Sequence, residues 1–457
     1  MSRKPEKLKI AIIGAGSKTF SPLTIKDIML SDVLNSVPLE LVLMDLNEQT
    51  VNSRKKIASQ LAEGLHRSAI IRATTSLDEA VDGADFVITA IEIRRYHYWS
   101  QDFHIPRKHG FRQIYGENGG PGGMFHTLRN LGPMLEIARA MERLCPNAWM
   151  INYTNPEAKL VEGISRLTKI KVVGLCHGIG MGIEQLSRIF EMSPDDLEVA
   201  ACGMNHFSWF QKITNRKTGE DLYPELRERD KNMKWLAEWD EIGLSRLMFR
   251  TYGLWPLPGA NHIGEYIAWS DSYLASSQIQ FFYDPAEENP WETGNTPKFV
   301  YNFSDHPTST PMYEVEKNDQ ESIELDIDKL KPSHEVGIPI IEAIAFDRRI
   351  DLNSVNIPNR GKIPGLMDDM VVELPAYADG TGIHTRQMEE LPVSVTEMIR
   401  VQGVIHRLVI EAYAEQSRRK LLQALLLDPT ISTYNNAVAL INEMCELQKE
   451  ILPPLHW

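Results

Sequence analysis

Residues 8–13, LKIAII, form a short apolar run that stops on Gly14-Ala15-Gly16-Ser17. A run of that length, rich in isoleucine and ended by glycine, reads as a strand buried on both faces. Gly14 and Gly16 let the backbone turn tightly and approach a pyrophosphate. The helix expected after them, through about residue 30, supplies N–H donors and a favourable dipole. A second apolar run, LELVLM at 39–44, ends on Asp45, and a further helix is expected from Asn47 to about Leu65. An acid at the end of the second strand accepts the ribose hydroxyls of NAD and repels the 2′-phosphate of NADP. Strand, glycine turn, helix, strand and terminal acid together specify a dinucleotide unit with Gly14, Gly16, Ser17 and Asp45 as its NAD-binding residues. The third glycine of the usual pattern is replaced by Thr19.

The alternation continues. ATTS-flanked residues 69–73, then DFVITAI at 85–91, 149–153 and 171–176 are further strand candidates, with helices between them. This predicts an α/β fold, a Rossmann-type doubly wound parallel sheet. From about residue 197 the texture changes to EVAACGMNHFSWFQKI, which reads as antiparallel strands, and residues 215–330 look irregular. Within them, residues 297–322 are the least regular and read as a mobile excursion. Helical periods return at 394–415 and 437–451. The expected organisation is an NAD-binding domain over 1–197 and a mixed α+β domain over 198–457 for substrate, metal and oligomerisation.

The 457 residues carry a formal charge of −14, which argues against nucleic acid as a partner. No apolar run approaches the length of a membrane span, and the basic N-terminus enters a strand directly, without a signal-peptide cleavage site. Four widely spaced cysteines are not a disulfide framework, so a cytoplasmic location is expected.

Open α/β sheets place ligands at the carboxyl ends of their strands. Three polar groups fall there: Asn152-Tyr153-Thr154-Asn155-Pro156, with Asn155 at the strand tip; Cys176-His177-Gly178; and Gly203-Met204-Asn205-His206. Thiolate and imidazole suit Mn, Fe, Co, Ni or Zn. Two protein ligands leave a shell open to water or substrate, the catalytic type of site. Spacing alone does not pair Cys176 with His206.

The strings KIAIIGAGS, YGENGGPGG, INYTNPEA, VVGLCHGIGMG, CGMNHFSW and NIPNRG…DDMVVELPA occur in order between about residues 8 and 385. Together they resemble glycoside hydrolase family 4, glycosidases dependent on NAD and a divalent metal, on a fold related to lactate and malate dehydrogenases. The resemblance implies that Cys176 and His206 bind the metal, usually Mn²⁺, and that Asn155 contacts the sugar. It implies transient oxidation of sugar C3 by NAD, metal-stabilised deprotonation at C2, elimination of the aglycone, addition of water and return of the hydride. Such enzymes are exceptions to the two-carboxylate rule for glycosidases. Tyr266, in ANHIGEYIAW, matches the base. His177 and Glu117 are alternative acids, and His262 and Glu265 flank Tyr266 as groups that orient it or bind sugar hydroxyls.

The substrate implied is an unphosphorylated α-glycoside: a glucoside, a galactoside or the corresponding uronide. Arg94, Arg95 and Arg129 are candidates to pair with a uronate carboxylate. The family also implies a homodimer or homotetramer. A rival reading is an NAD-dependent hydroxyacid dehydrogenase of the related fold, with His206 as its acid/base.

Overall fold

The computed structural model describes residues 4–17, 20–232, 242–257, 259–270, 280–281, 299–302, 308–311 and 327–457. Strand β1 (Leu8–Ile13) is covered on both sides, as its apolar run requires. Ile10 and Ile12 enter one hydrophobic cluster and Ala11 and Ile13 the other. Beside it lie β2 (Leu39–Met44), β3 (Ile70–Thr74), β4 (Phe86–Thr89), β5 (Trp149–Asn152) and β6 (Lys171–Gly174). These six strands are parallel, in the order β3-β2-β1-β4-β5-β6. The order reverses between β1 and β4, and doubly wound sheets open their ligand crevice at that point.

The sheet continues past β6 with antiparallel strands brought from far along the chain. β13 (Ile350–Pro358) pairs with β6, β14 (Val371–Asp379) follows, and then β7 (Leu197–Met204), β8 (Phe207–Asn215) and β9 (Trp255–Pro256); β15 (Gly382–Thr385) borders β14. A small separate sheet joins β10 (Gln280–Phe281), β11 (Phe299–Asn302) and β12 (Thr308–Pro311). One transverse row of register partners crosses the large sheet: Ile13, Thr89, Asn152, Gly174, Asn356, Glu373, Gly203 and Ser208. Partners in register share a face. From Thr89 on β4 onward, the buried polar side chains of Thr89, Asn152, Asn356, Glu373 and Ser208 therefore line one face of the sheet toward the Cys176 and His206 strands.

Two sequence expectations need correction. Residues 215–330 contain regular helices, Tyr223–Asn232 and Ile242–Tyr252, in the part read as irregular. The first buries only Tyr223, Leu226 and Asp230, a stripe too narrow to register as a period. A further helix, Arg418–Leu427, lies between the two C-terminal helices expected from the pattern. Thr19 and most of residues 297–322 lie outside the described residues, although β11 and β12 form a hairpin within that stretch.

Candidate active site

Gly14 closes β1 at φ +83, and a Cβ there would lie 2.3 Å from the carbonyl oxygen of Ala90 at the end of β4. Only glycine permits this approach at the switch point. Gly16 N–H donates to Asp45 Oδ2 at 2.8 Å, and Asp45 Oδ1 accepts from Asn47 N–H at 3.0 Å. Ser17 Oγ accepts at 3.3 Å from the N–H of Phe20, the first residue of the next helix. Gly14, Gly16, Ser17 and Asp45 line a cleft of about 710 Å³ with Leu46 and Glu92. The four expected cofactor residues are thus brought together.

The second half of the site stands on the ends of β6, β7 and β5. Cys176 follows β6 by two residues, and its Sγ accepts from Gly178 N–H at 3.4 Å. Burial, Glu373 and Glu157 push its thiol up to about 12. His206 occupies the two-residue turn between β7 and β8 at φ +62, a conformation that costs a non-glycine residue about 1–3 kcal/mol and clusters at functional sites. Burial first, then His262 and His177, holds its imidazole well below the ordinary range, so it is neutral. Its buried Nδ1 has no hydrogen-bond partner. The His262 ring lies 4.2 Å away, centroid to centroid. Among the described residues no three His, Cys, Asp or Glu side chains form a metal shell by themselves.

Tyr266 is buried, its ring 5.0 Å from Phe207, and its hydroxyl donates to the Asn205 carbonyl at 3.4 Å. Burial, with Glu265 next, raises its phenol well above the usual value. Glu265 does not face outward as a sugar ligand: its carboxylate accepts from the backbone N–H of Glu117 at 2.7 Å and of Asn118 at 3.1 Å. Glu117 is buried too, its Oε1 accepting from Arg95 Nη2 at 2.6 Å. His177 begins the helix Gly178–Phe190, its side chain 57% exposed and its Nδ1 3.8 Å from Glu335. Asn155 is half-buried at the tip after β5, and its carbonyl accepts from Asn130 Nδ2 at 2.8 Å.

The arginines read as uronate partners are otherwise engaged. Arg129 is buried in a double hydrogen bond with Asp102 and also donates to Gln448. Arg95 is shared by Glu117 and Glu92. Arg94 is exposed, with its guanidinium over the Tyr98 ring.

Sequence reasoning missed the groups beneath Cys176. Glu373, on β14, accepts from Ser208 Oγ at 2.6 Å and is raised to about 7 by burial. Glu157 opens the helix Glu157–Leu167, fully buried, neither of its oxygens hydrogen-bonded. Burial, then Glu373, raises it well above the carboxylate range. Lys159, also buried, donates to the Asn118 carbonyl, and burial lowers its ammonium. Only Glu157 and Lys159 carried a hint, as charges in an otherwise apolar helix start.

Residues 9–192 match the model of family 4 glycosyl hydrolases, and residues 201–431 match that family's C-terminal domain. The chain belongs to the family 4 glycosyl hydrolases. It is 31% identical to an α-glucosidase of Erwinia rhapontici, with 96% of each chain covered. It is 28% identical to an α-galactosidase of Bacillus subtilis, again over 96% of each. Among solved structures, a 6-phospho-α-glucosidase from gut microorganisms in complex with NAD and Mn²⁺ superposes with a TM-score of 0.76 at 25% identity. That match covers 98% of this chain and all of the other. The two glycosidase names differ in the sugar. The hydrolase has no described helix long and apolar enough to cross a membrane.

Proposed function

We propose that this family 4 hydrolase cleaves unphosphorylated α-glycosides, with NAD held by Gly14, Gly16, Ser17 and Asp45 and a divalent metal, Mn²⁺ or a close relative, held by Cys176 and His206. The observation that carries the reading is the neutral, buried His206 imidazole with an unpartnered Nδ1, next in the chain to Asn205, whose side chain hydrogen-bonds Cys176. A neutral imidazole and a thiol are donors that suit a transition metal. The cleft at the β1/β4 switch, where Gly14 approaches Ala90 too closely for any Cβ, suits the dinucleotide.

When bound, the dinucleotide supplies a reversible hydride acceptor and the metal a Lewis acid, which together acidify the C–H beside the oxidised sugar carbon. Tyr266 is the base of this reading: its hydroxyl is held by the Asn205 carbonyl, and the charge of a bound metal would offset the burial that raises its phenol. Asn155, at the β5 tip, and His262 bind sugar hydroxyls. His177, the most exposed of these groups, reaches the leaving oxygen as the acid. Glu117 is the alternative acid, although its carboxylate is tied to Arg95.

Charge supports an unphosphorylated substrate. Arg95 and Arg129 are already matched by carboxylates. Assembly as a homodimer or homotetramer and a cytoplasmic location belong to the same reading. The test is hydrolysis of nitrophenyl α-glucoside, α-galactoside, α-glucuronide and α-glucoside 6-phosphate with NAD⁺, Mn²⁺ and a reductant. Cleavage of an unphosphorylated substrate that needs both cofactors, incorporates deuterium at C2 from D₂O and yields no net NADH supports the reading. Preference for the 6-phosphate refutes the substrate assignment, and net NADH marks a dehydrogenase.

A further inference from the structure

Glu92 follows β4 and lines the dinucleotide cleft together with Asp45 and Glu136. Its Oε2 lies 3.4 Å from Arg95 Nη1 and 3.1 Å from His126 Nε2. Both partners pass the connection onward. Arg95, its guanidinium 4.5 Å above the Trp99 ring, donates from Nη2 to Glu117 Oε1 at 2.6 Å. His126 Nδ1 is 2.8 Å from the Glu117 carbonyl oxygen, and its Nε2 is 3.0 Å from Asn130 Nδ2. Asn130 in turn donates to the carbonyl of Asn155.

The segment Glu117–Gly119 then docks on Glu265. Two of its N–H groups bond the Glu265 carboxylate, and Gly119 lies so close that a Cβ would fall 2.6 Å from Glu265 Cβ. Glu265 adjoins Tyr266 in the chain. Ion pairs and hydrogen bonds therefore lead through Arg95 from the cofactor cleft to Glu117 and the Tyr266 segment.

We propose that Glu92 is a positioning residue that couples occupancy of the dinucleotide cleft to the docking of the Glu117–Gly119 segment on Glu265. This rests on the cleft being an NAD site. A carboxylate at the cleft wall is fixed or displaced by what fills the cleft. Arg95 transmits that choice because its planar fork holds two carboxylates at once, a geometry lysine does not reproduce. Coupling of this kind is reciprocal, so the substrate side also sets the affinity for the dinucleotide.

The experiment is amide hydrogen exchange of the full chain with and without saturating NAD⁺, with NAD⁺ binding measured separately by calorimetry. In the wild type, NAD⁺ slows exchange at Glu117 and Asn118 at least fivefold. In Glu92→Gln, NAD⁺ still binds but slows those amides less than twofold, while protection near Gly14 and Asp45 is retained. Arg95→Lys, which keeps the charge and loses the fork, gives the same loss and serves if Glu92→Gln does not fold. Equal NAD⁺-induced protection at Glu117 and Asn118 in wild type and both variants overturns the proposal. Failure of the wild type to bind NAD⁺ overturns the cofactor reading on which it rests, and the calorimetry distinguishes the two.

Discussion

Gly174, the last residue of β6, has room for no side chain. A Cβ there would lie 1.1 Å from Glu157 Oε1, 2.3 Å from Glu157 Cδ and 2.9 Å from Val161 Cγ2. In Gly174→Ala the buried carboxylate must retreat by about 2 Å to regain ordinary contact, against a core packed at crystal density. That carboxylate makes no hydrogen bond, so its displacement breaks none and the cost is steric. Overpacking of this kind costs about 1–3 kcal/mol. At about 2 °C per kcal/mol for a long chain, thermal unfolding moves down by roughly 2–6 °C. Glu157→Ala removes both nearest colliding atoms and leaves Val161 as the main obstacle. In the double variant, the added cost of Gly174→Ala then falls to about 1 kcal/mol or less, an interaction within the range for residues in contact. Scanning calorimetry of the four proteins at one pH, without ligands, measures this. The reasoning is refuted if Gly174→Ala melts within 1 °C of wild type, on the order of the measurement error, or if Glu157→Ala brings no relief.

Three further outcomes are expected. Asp45→Ala removes an acceptor for the ribose hydroxyls worth about 1.5–3 kcal/mol, so NAD⁺ affinity by calorimetry falls roughly 10- to 100-fold while NADP⁺ affinity falls less. Cys176→Ser replaces a ligand that binds as an anionic thiolate with a neutral hydroxyl, so manganese retained after gel filtration, read by elemental analysis, falls at least tenfold. For Glu157→Gln the sign follows from its raised folded-state pKa. The native state holds that proton longer than the unfolded chain, so wild-type stability is lost as pH rises through the carboxylate range. The glutamine variant does not lose it, and its melting temperature relative to wild type rises from pH 5 to pH 8; a pH-independent difference would contradict the burial argument.

How much of this was legible in the sequence depends on how far apart the partners lie in the chain. Gly14, Gly16 and Asp45 are consecutive events in one strand-turn-helix-strand unit, each forced by local backbone needs, and they could be read directly. The strand ends carrying Asn155, Cys176 and His206 were also legible, because a buried strand shows as an apolar run and its end as the first polar residues after it. What brings Cys176 to Asn205, the neighbour of His206, is not local. β13 and β14 enter the sheet between β6 and β7 after more than 140 intervening residues, and no period in the sequence announces where a strand will insert. Glu373 reaches Ser208 only through that insertion, and Asn356 stands opposite Gly174 for the same reason. Glu157 and Gly174 make the point at closest range. Each is unremarkable alone, a helix-start acid and a strand-end glycine. Their meaning lies in the 1.1 Å that separates an oxygen of one from the absent Cβ of the other. The same logic covers Glu92, Arg95 and Glu117: the fold sets one guanidinium against two carboxylates, one of them from 22 residues further along the chain, because a buried charge is tolerated only when others meet it.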